Sequence, residues 1–496
     1  MVNGLKRIIL VELPWGRDKD PRVPLGHASL LASLSTIPKC QYYSIVHPIN
    51  DSDFDVSDVF NKIQNIRNEY VDDEIDIAIG VYVWAEEAIQ QLLSRLRQSE
   101  FFGRIILGGP QISYSGAGLE LLYPDANVFI RGYGESAINA LVEYNDRPDM
   151  QGIHYAGEPD LCQQTMVDID LLPSPWLNGV IQVKNQHFIR WESQRGCPFK
   201  CGFCQHREPG ARLAKREFSK SRIMKEIDLF CENGVRDIAV LDPIFNSSPL
   251  STMILKRFAD NRYDGKLSLQ CRAEMMDEEF IKAASLLDVC FELGIQTIHP
   301  NEGRAVNRNN NMKAVERTIN RLNVKKFDYE VSIIFGLPEQ TMHSFCETVE
   351  WCLSRSVPIL KAFPLMLLRG TNVEQRKDEW GLVKSEGSMP VVIKSKTITH
   401  EEWCQMERIS GALKQTEGEH PGSIRELIDL ASGLDIDMSK YRPEISVKRS
   451  SDLRGSSNEA GYYEDGNDTK LVFVKDGHHS KSVDSTITTQ SYLSQR

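Results

Sequence analysis

Between residues 187 and 364 this chain repeats one unit six times: a short, largely apolar run followed by a helix-length segment. The runs fall at 187–193, 237–241, 266–271, 291–296, 329–335 and 360–364, with helical stretches such as 220–233 and 342–354 between them. Strands separated by crossovers of this length pair in parallel, because a tight hairpin can only reverse the chain. Six such units predict a barrel or an open, partial (β/α)6 barrel.

The preceding 165 residues show the same alternation in a different rhythm. Apolar runs at 6–13, 41–47, 75–83, 104–107 and 127–131 enclose helical patterns at 25–35 and 85–98. They predict a Rossmann-like domain with a parallel sheet. Gly108-Gly109-Pro110 directly follows a strand, where an open α/β sheet places its ligands. A linker at 166–186, with Pro173-Ser174-Pro175, separates this domain from the barrel at 187–399. A helical C-terminal region at 400–445 follows, with helices at 400–415 and 424–432. From 446 to 496 the composition turns to Ser, Asp, Gly, Asn and Thr, which predicts a disordered tail with one short strand at 470–474. With 496 residues, 41% of them hydrophobic, the chain can fill this many cores.

A net charge of −11 argues against a phosphate-tracking surface, so no nucleic-acid partner is expected. No stretch approaches the roughly 20 apolar residues that span a bilayer, and the first residues lack a signal-peptide pattern. Eleven cysteines without a secretion signal fit a reducing, cytoplasmic setting.

The chemistry-bearing run is Trp191-Glu-Ser-Gln-Arg-Gly-Cys197-Pro-Phe-Lys-Cys201-Gly-Phe-Cys204, at the end of the first barrel strand. Three thiolates so close together are soft ligands that suit an iron–sulfur cluster or zinc. A structural zinc needs a fourth ligand, and His206 could supply it. A zinc-knuckle interaction protein is therefore the non-enzymatic alternative. Cys231, Cys271, Cys290, Cys346, Cys352 and Cys404 lie in helix- or strand-like contexts and read as buried small hydrophobes.

The spacing C-x3-C-x2-C, after a strand and ahead of a barrel, resembles the radical S-adenosylmethionine (SAM) superfamily. The resemblance implies a 4Fe–4S cluster on Cys197, Cys201 and Cys204, with one open iron that chelates SAM and reductively cleaves it. It also implies an electron donor such as flavodoxin or ferredoxin. Phe203 matches the family's aromatic near the adenine. Asp242 and Asn246 after the second strand, and Arg272 and Glu274 after the third, stand where relatives contact SAM. Gly294-Ile-Gln296-Thr resembles the fourth-strand G-I-Q-[ST] signature. Gly336-Leu-Pro338-Glu-Gln resembles G-L-P-G-Q, with Glu339 in place of a glycine.

The N-terminal domain resembles the cobalamin-binding domain that precedes many such barrels. The resemblance rests on Pro24-Leu-Gly-His27-Ala, Val81-Tyr-Val-Trp84, Gly108-Gly109-Pro110 and Arg131-Gly132-Tyr-Gly134-Glu135. It implies a cobalamin site at Trp84, Gly108, Gly109, Gly132 and Glu135. The D-x-H-x-x-G string of a lower histidine ligand is missing, and His27 and His47 read as ordinary polar residues.

Together these resemblances imply cobalamin-dependent methyl transfer to a small molecule. Transfer of the 3-amino-3-carboxypropyl group of SAM, or a radical rearrangement without functional cobalamin, stays open. An RNA methylthiotransferase is disfavoured, since only Cys40 and Cys162 precede the motif and the tail is not basic. No acid or base residue stands out, and residues 370–441 carry no chemistry legible in sequence, His400 and Trp403 included.

Overall fold

A computed structural model describes residues 5–70, 74–143, 147–184, 186–205, 216–442, 461–465 and 468–472. The protein is mixed α/β, with two six-stranded sheets. The first contains β1 (Lys6–Glu12), β2 (Cys40–Val46), β3 (Ile75–Gly80), β4 (Ile105–Gly108), β5 (Val128–Ile130) and β6 (Ile153–Tyr155). Their order is β2-β1-β3-β4-β5-β6, parallel except for β6, an antiparallel edge strand that the sequence reading did not anticipate.

Alternation along these strands feeds two cores. Ile9, Val11, Ile77, Ile79 and Leu107 face the helices Val56–Glu69 and Glu86–Gln98. Ile8, Leu10, Ala78 and Ile106 face Leu25–Leu34 and Gly134–Glu143 on the other side. Burial on both faces is what a doubly wound parallel sheet requires. In this strand order the chain reverses direction across the sheet between β1 and β3, so the ligand crevice opens at their carboxyl ends.

The second sheet contains β7 (Phe188–Trp191), β8 (Asp237–Val240), β9 (Lys266–Cys271), β10 (Asp288–Gln296), β11 (Asp328–Phe335) and β12 (Ile359–Pro364). All are parallel and adjacent in chain order, and among the described residues β7 and β12 are the edges of the sheet. In β9, β10 and β11 buried and half-buried residues alternate strictly. Leu267, Leu269, Phe291, Leu293, Val331 and Ile333 pack against the helices. Ser268, Gln270, Glu292, Glu330 and Ser332 occupy the alternate positions and line the inner face. That inner face is polar, unlike the packed Val/Ile/Leu layers of a closed barrel.

The helix His400–Gln415 opens with a capping box between Thr399 and Glu402 and buries Trp403 against Phe335 and Tyr441. Trp403 is thus a core residue, with His400 stacked on it. No helix among the described residues is long and apolar enough to cross a membrane. Residues 1–444 form one compact unit and 445–496 a second. Within the second, Gly461–Asp465 and Asp468–Val472 pair as an antiparallel hairpin. The rest of the expected disordered tail lies outside the described residues.

Candidate functional site

The cysteine run leaves the end of β7 under the control of Asp242. One Asp242 oxygen accepts hydrogen bonds from the backbone N–H groups of Ser193 (2.7 Å) and Gln194 (3.1 Å), and the other from the Ser193 hydroxyl. Burial pushes this carboxyl up to about 7, opposed by those same hydrogen bonds. Gly196 then turns the chain with φ +78° immediately before Cys197. Beyond it, Gly202 N–H donates to the Val306 carbonyl (2.7 Å) and the Gly202 carbonyl accepts from Val373 N–H (3.0 Å). The cysteine loop is therefore clamped between the segments that follow β10 and β12. Phe203 packs, partly buried, against Ala305, Val306, Leu337, Leu365 and Val373.

Two buried arginines face the loop. The Arg272 guanidinium lies 4.0 Å over the ring of Phe199 and donates to Glu274 (3.0 Å). Asn246 fixes its backbone on both sides, donating to the Arg272 carbonyl (2.9 Å) and accepting from its N–H (3.0 Å). Arg308 donates to the Gly294 carbonyl. Among the described residues no carboxylate pairs with Arg308, although it is only 6% exposed. Burial, and then repulsion from Arg308, lowers the affinity of Arg272 for its proton, while burial pushes the Cys197 thiol up against the opposing pull of both arginines. Their Nε atoms, with Asn310 Oδ1 and Asn372 Oδ1, are buried and unpartnered. Buried positive charge beside Cys197 and Cys201, with unpartnered Nε–H donors, fits an anionic cluster and a ligand bearing a carboxylate.

The three thiol sulfurs do not all lie within 4.8 Å of one another. Among the described residues, the only three ligating side chains with donor atoms all within 4.8 Å of one another are His47, Asp51 and Asp53. Tetrahedral zinc at about 2.3 Å from each sulfur would draw thiolates closer than that, whereas cluster ligands sit on separate corners. His206, the fourth ligand of the zinc alternative, lies outside the described residues.

Gln296 sits at an irregularity in β10 with φ +70°. A Cβ on Gly294 would stand 2.5 Å from its amide nitrogen, so the glycine makes room for this side chain. Glu339 takes φ +64°, the conformation a glycine adopts easily, and the loop closes as Gln340 Oε1 accepts from Gly336 N–H (2.8 Å).

The crevice of the first sheet has different furniture. Tyr82 and Trp84 stack at 4.8 Å with an 11° interplanar angle, and Trp84 Nε1 donates to the Leu13 carbonyl (3.0 Å). Behind them Glu12 ends β1, hydrogen-bonded to Tyr82 and pushed up to about 8 by burial. His27 Nδ1 lies 3.9 Å from Glu12, and burial pulls His27 down to about 4. Between those values both groups are neutral, so the contact is not an ion pair. Gly109 (φ +93°) and Gly132 (φ +83°) are required by neighbouring backbone. Added Cβ atoms would meet Val81 O and Thr165 O, each at 2.9 Å. Gly108 has ordinary clearance. An aromatic platform beside two tight backbone turns fits a broad, flat ligand.

Glu135 is engaged elsewhere: its carboxylate accepts from Arg195 Nη1 (2.7 Å), two residues before Cys197. Arg195 and Arg308 escaped the sequence reading. The arginine inside Ser-Gln-Arg-Gly-Cys was a visible signal; Arg308, in a run of asparagines, left none.

Residues 191–352 match the family model of the radical SAM superfamily. A 2-(S-pantetheinyl)-carbapenam-3-carboxylate methyltransferase of Streptantibioticus cattleyicolor is 28% identical over 204 residues, 38% of this chain and 30% of its own. The cobalamin-dependent radical SAM methyltransferase TokK of Streptomyces tokunonensis is 21% identical over 355 residues, 64% of this chain and 51% of its own. The chain thus spans at most about half the length of these curated relatives. Among solved structures, OxsB, a cobalamin-dependent SAM radical enzyme with aqua-cobalamin and SAM bound, aligns with TM-score 0.64 at 15% identity, covering 83% of this chain and 67% of its own. The radical SAM methyltransferase TsrM of Kitasatospora setae, with tryptophan and a SAM analogue, aligns with TM-score 0.60 at 15% identity, covering 78% and 80%. At such identity the likeness is one of fold.

Proposed function

We propose, from the match of residues 191–352 to the radical SAM family model, that the chain is a cobalamin-dependent radical SAM methyltransferase acting on a small molecule. One observation carries the reading: the carboxyl ends of both sheets meet at the cysteine loop, with Glu135 bonded to Arg195 and Tyr114 to the Gln205 carbonyl. A thiol-bound cluster would then adjoin the crevice beneath Tyr82 and Trp84. When bound, the cluster supplies the electron that cleaves SAM and the corrinoid carries the methyl group.

The chain's own residues have separable tasks in this reading. Cys197, Cys201 and Cys204 hold the cluster. Arg272 and Arg308 supply countercharge for the thiolates and for the SAM carboxylate, with Glu274 and Gln296 as hydrogen-bonding partners. Phe203 contributes an apolar wall. Asp242 and Asn246 spend their polar atoms on Ser193, Gln194 and Arg272, so they position the site without touching its ligand. The polar inner face of the barrel, with Gln270, Glu292 and Ser332, receives the substrate, and a redox protein delivers the electron.

Anaerobic reconstitution tests the reading. A brown protein with about four irons is expected. With SAM, a reductant, cobalamin and substrate it should yield S-adenosylhomocysteine beside 5′-deoxyadenosine. A colourless chain holding one zinc overturns the cluster, and methylthioadenosine as the SAM product overturns methyl transfer in favour of aminocarboxypropyl transfer.

A further inference from the structure

The two turns that shape the first sheet's crevice are the same two that grip the cysteine loop. After β4, Gly109 leads through a single helical turn, Pro110–Ser113, to Tyr114, whose hydroxyl donates to the Gln205 carbonyl just past Cys204. After β5, Gly132 leads through Tyr133 to Glu135, which pairs with Arg195 just ahead of Cys197. The turns are tied to each other, since Gly132 N–H donates to the Ser113 hydroxyl (3.0 Å). A body entering the crevice thus presses on a unit that holds the cysteine loop at both ends.

The front grip is electrostatically costly to disturb. The side chains of Arg195 and Glu135 are 15% and 7% exposed. Arg195 also donates to Glu192 (2.8 Å), and its guanidinium sits between the rings of Tyr133 (5.5 Å) and Phe218 (5.7 Å). Moving Glu135 by even part of a hydrogen-bond length unbalances a buried triad, so the geometry of Arg195 and of the adjoining Gly196 must follow.

We propose that the first sheet's ligand crevice and the SAM site at the cysteine loop are energetically coupled, with Glu135 and Tyr114 as the positioning residues that carry the coupling. The inference rests on the function proposed above and adds a regulatory property to it. Filling the crevice fixes both turns and so pre-forms the loop. By reciprocity, SAM tightens the hold on the corrinoid by the same factor.

The test uses the full chain, reconstituted anaerobically, with and without saturating hydroxocobalamin. SAM affinity is read from the change it causes in the electron paramagnetic resonance spectrum of the reduced cluster. In the parent chain cobalamin should tighten SAM by about fivefold or more. In Glu135→Gln and in Tyr114→Phe, each with about four irons retained, the factor should fall toward one, and Glu135→Asp should recover part of it. Equal factors in the variants and the parent, or no factor in the parent, overturn the coupling. A parent chain that assembles no cluster overturns the underlying function instead, and the two failures are told apart by iron content alone.

Discussion

The two sheets turn their ligand-bearing ends toward one loop, yet they furnish those ends with opposite materials. The first offers backbone turns at Gly109 and Gly132, stacked rings at Tyr82 and Trp84, and an acid, Glu12, that burial keeps neutral. The second offers thiols, two buried guanidinium groups and the carboxylate of Glu274. Neutral surface with room for close approach suits a wide macrocycle, held by contact area. Concentrated charge suits a small ionic assembly, held by a few strong bonds. The difference teaches that the two ends, though joined through one loop, answer to different substitutions, so each can be altered in turn to probe the coupling proposed above.

The largest break in that comparison is expected from Cys201→Ala. Three thiolates are the fewest that hold a cluster with one open iron, so iron should fall from about four per chain to background and SAM cleavage should cease. Cobalamin titrated by absorbance should still bind. Loss of both together would mean that the two ends are a single site.

The reverse break is Gly109→Val. Its side chain would sit at a positive-φ, extended backbone position that is essentially reserved for glycine, costing about 1–3 kcal/mol, and would strike the Val81 backbone at 2.9–3.0 Å. The turn carrying Tyr82 and Trp84 must shift. Cobalamin affinity should drop by about tenfold or more, as 1.4 kcal/mol is a factor of ten, with iron content unchanged. Trp84→Ala is milder, because it removes one ring and one hydrogen bond and leaves the backbone in place. A loss of about 1 kcal/mol is expected, read as a several-fold increase in the dissociation constant for cobalamin.

What was legible in the sequence follows the same divide. Strand and helix runs were plain because burial on one or both faces imposes apolar periodicity, and the helices His400–Gln415 and Ile424–Ser432 fall at their expected bounds, where the structure shows Thr399 and Ser423 as caps. The cysteine run was legible because its chemistry is local. The contacts that join the two ends were not. Glu135 and Arg195 are 60 residues apart, and Arg369 and Glu86 are 283 apart. No periodicity records such pairs. At Gly109 and Gly132 the backbones of Val81 and Thr165 already demand a glycine, a long-range contact that the sequence does not record. Strand β6 was missed because three residues, Ile-His-Tyr, are too short to show alternation.

The smallest effect sharpens the claim that the first sheet's end is neutral, and it is a matter of pH. Glu12 titrates near 8 in the fold but near 4.5 when exposed, so between those values the folded state holds a proton that the unfolded state has released. Stability from this group is full below about 4.5 and declines as pH rises toward 8. His27 runs the other way, with a folded value near 4 against 6.5, so its contribution is lost as pH falls from 6.5 toward 4. Well above 6.5 His27 is neutral in both states, and the slope left from this pair is that of Glu12. Between pH 6.5 and 8.5 the melting temperature of the parent chain should therefore fall by more than that of Glu12→Gln, which keeps the shape and the hydrogen bond to Tyr82 without a titrating proton. Each pKa unit corresponds to about 1.4 kcal/mol, and tyrosine and histidine so close by relieve part of it, so a difference of a few degrees is expected. Parallel melting curves across that range would place a charge at the crevice and remove the contrast between the two sheets at its most buried point.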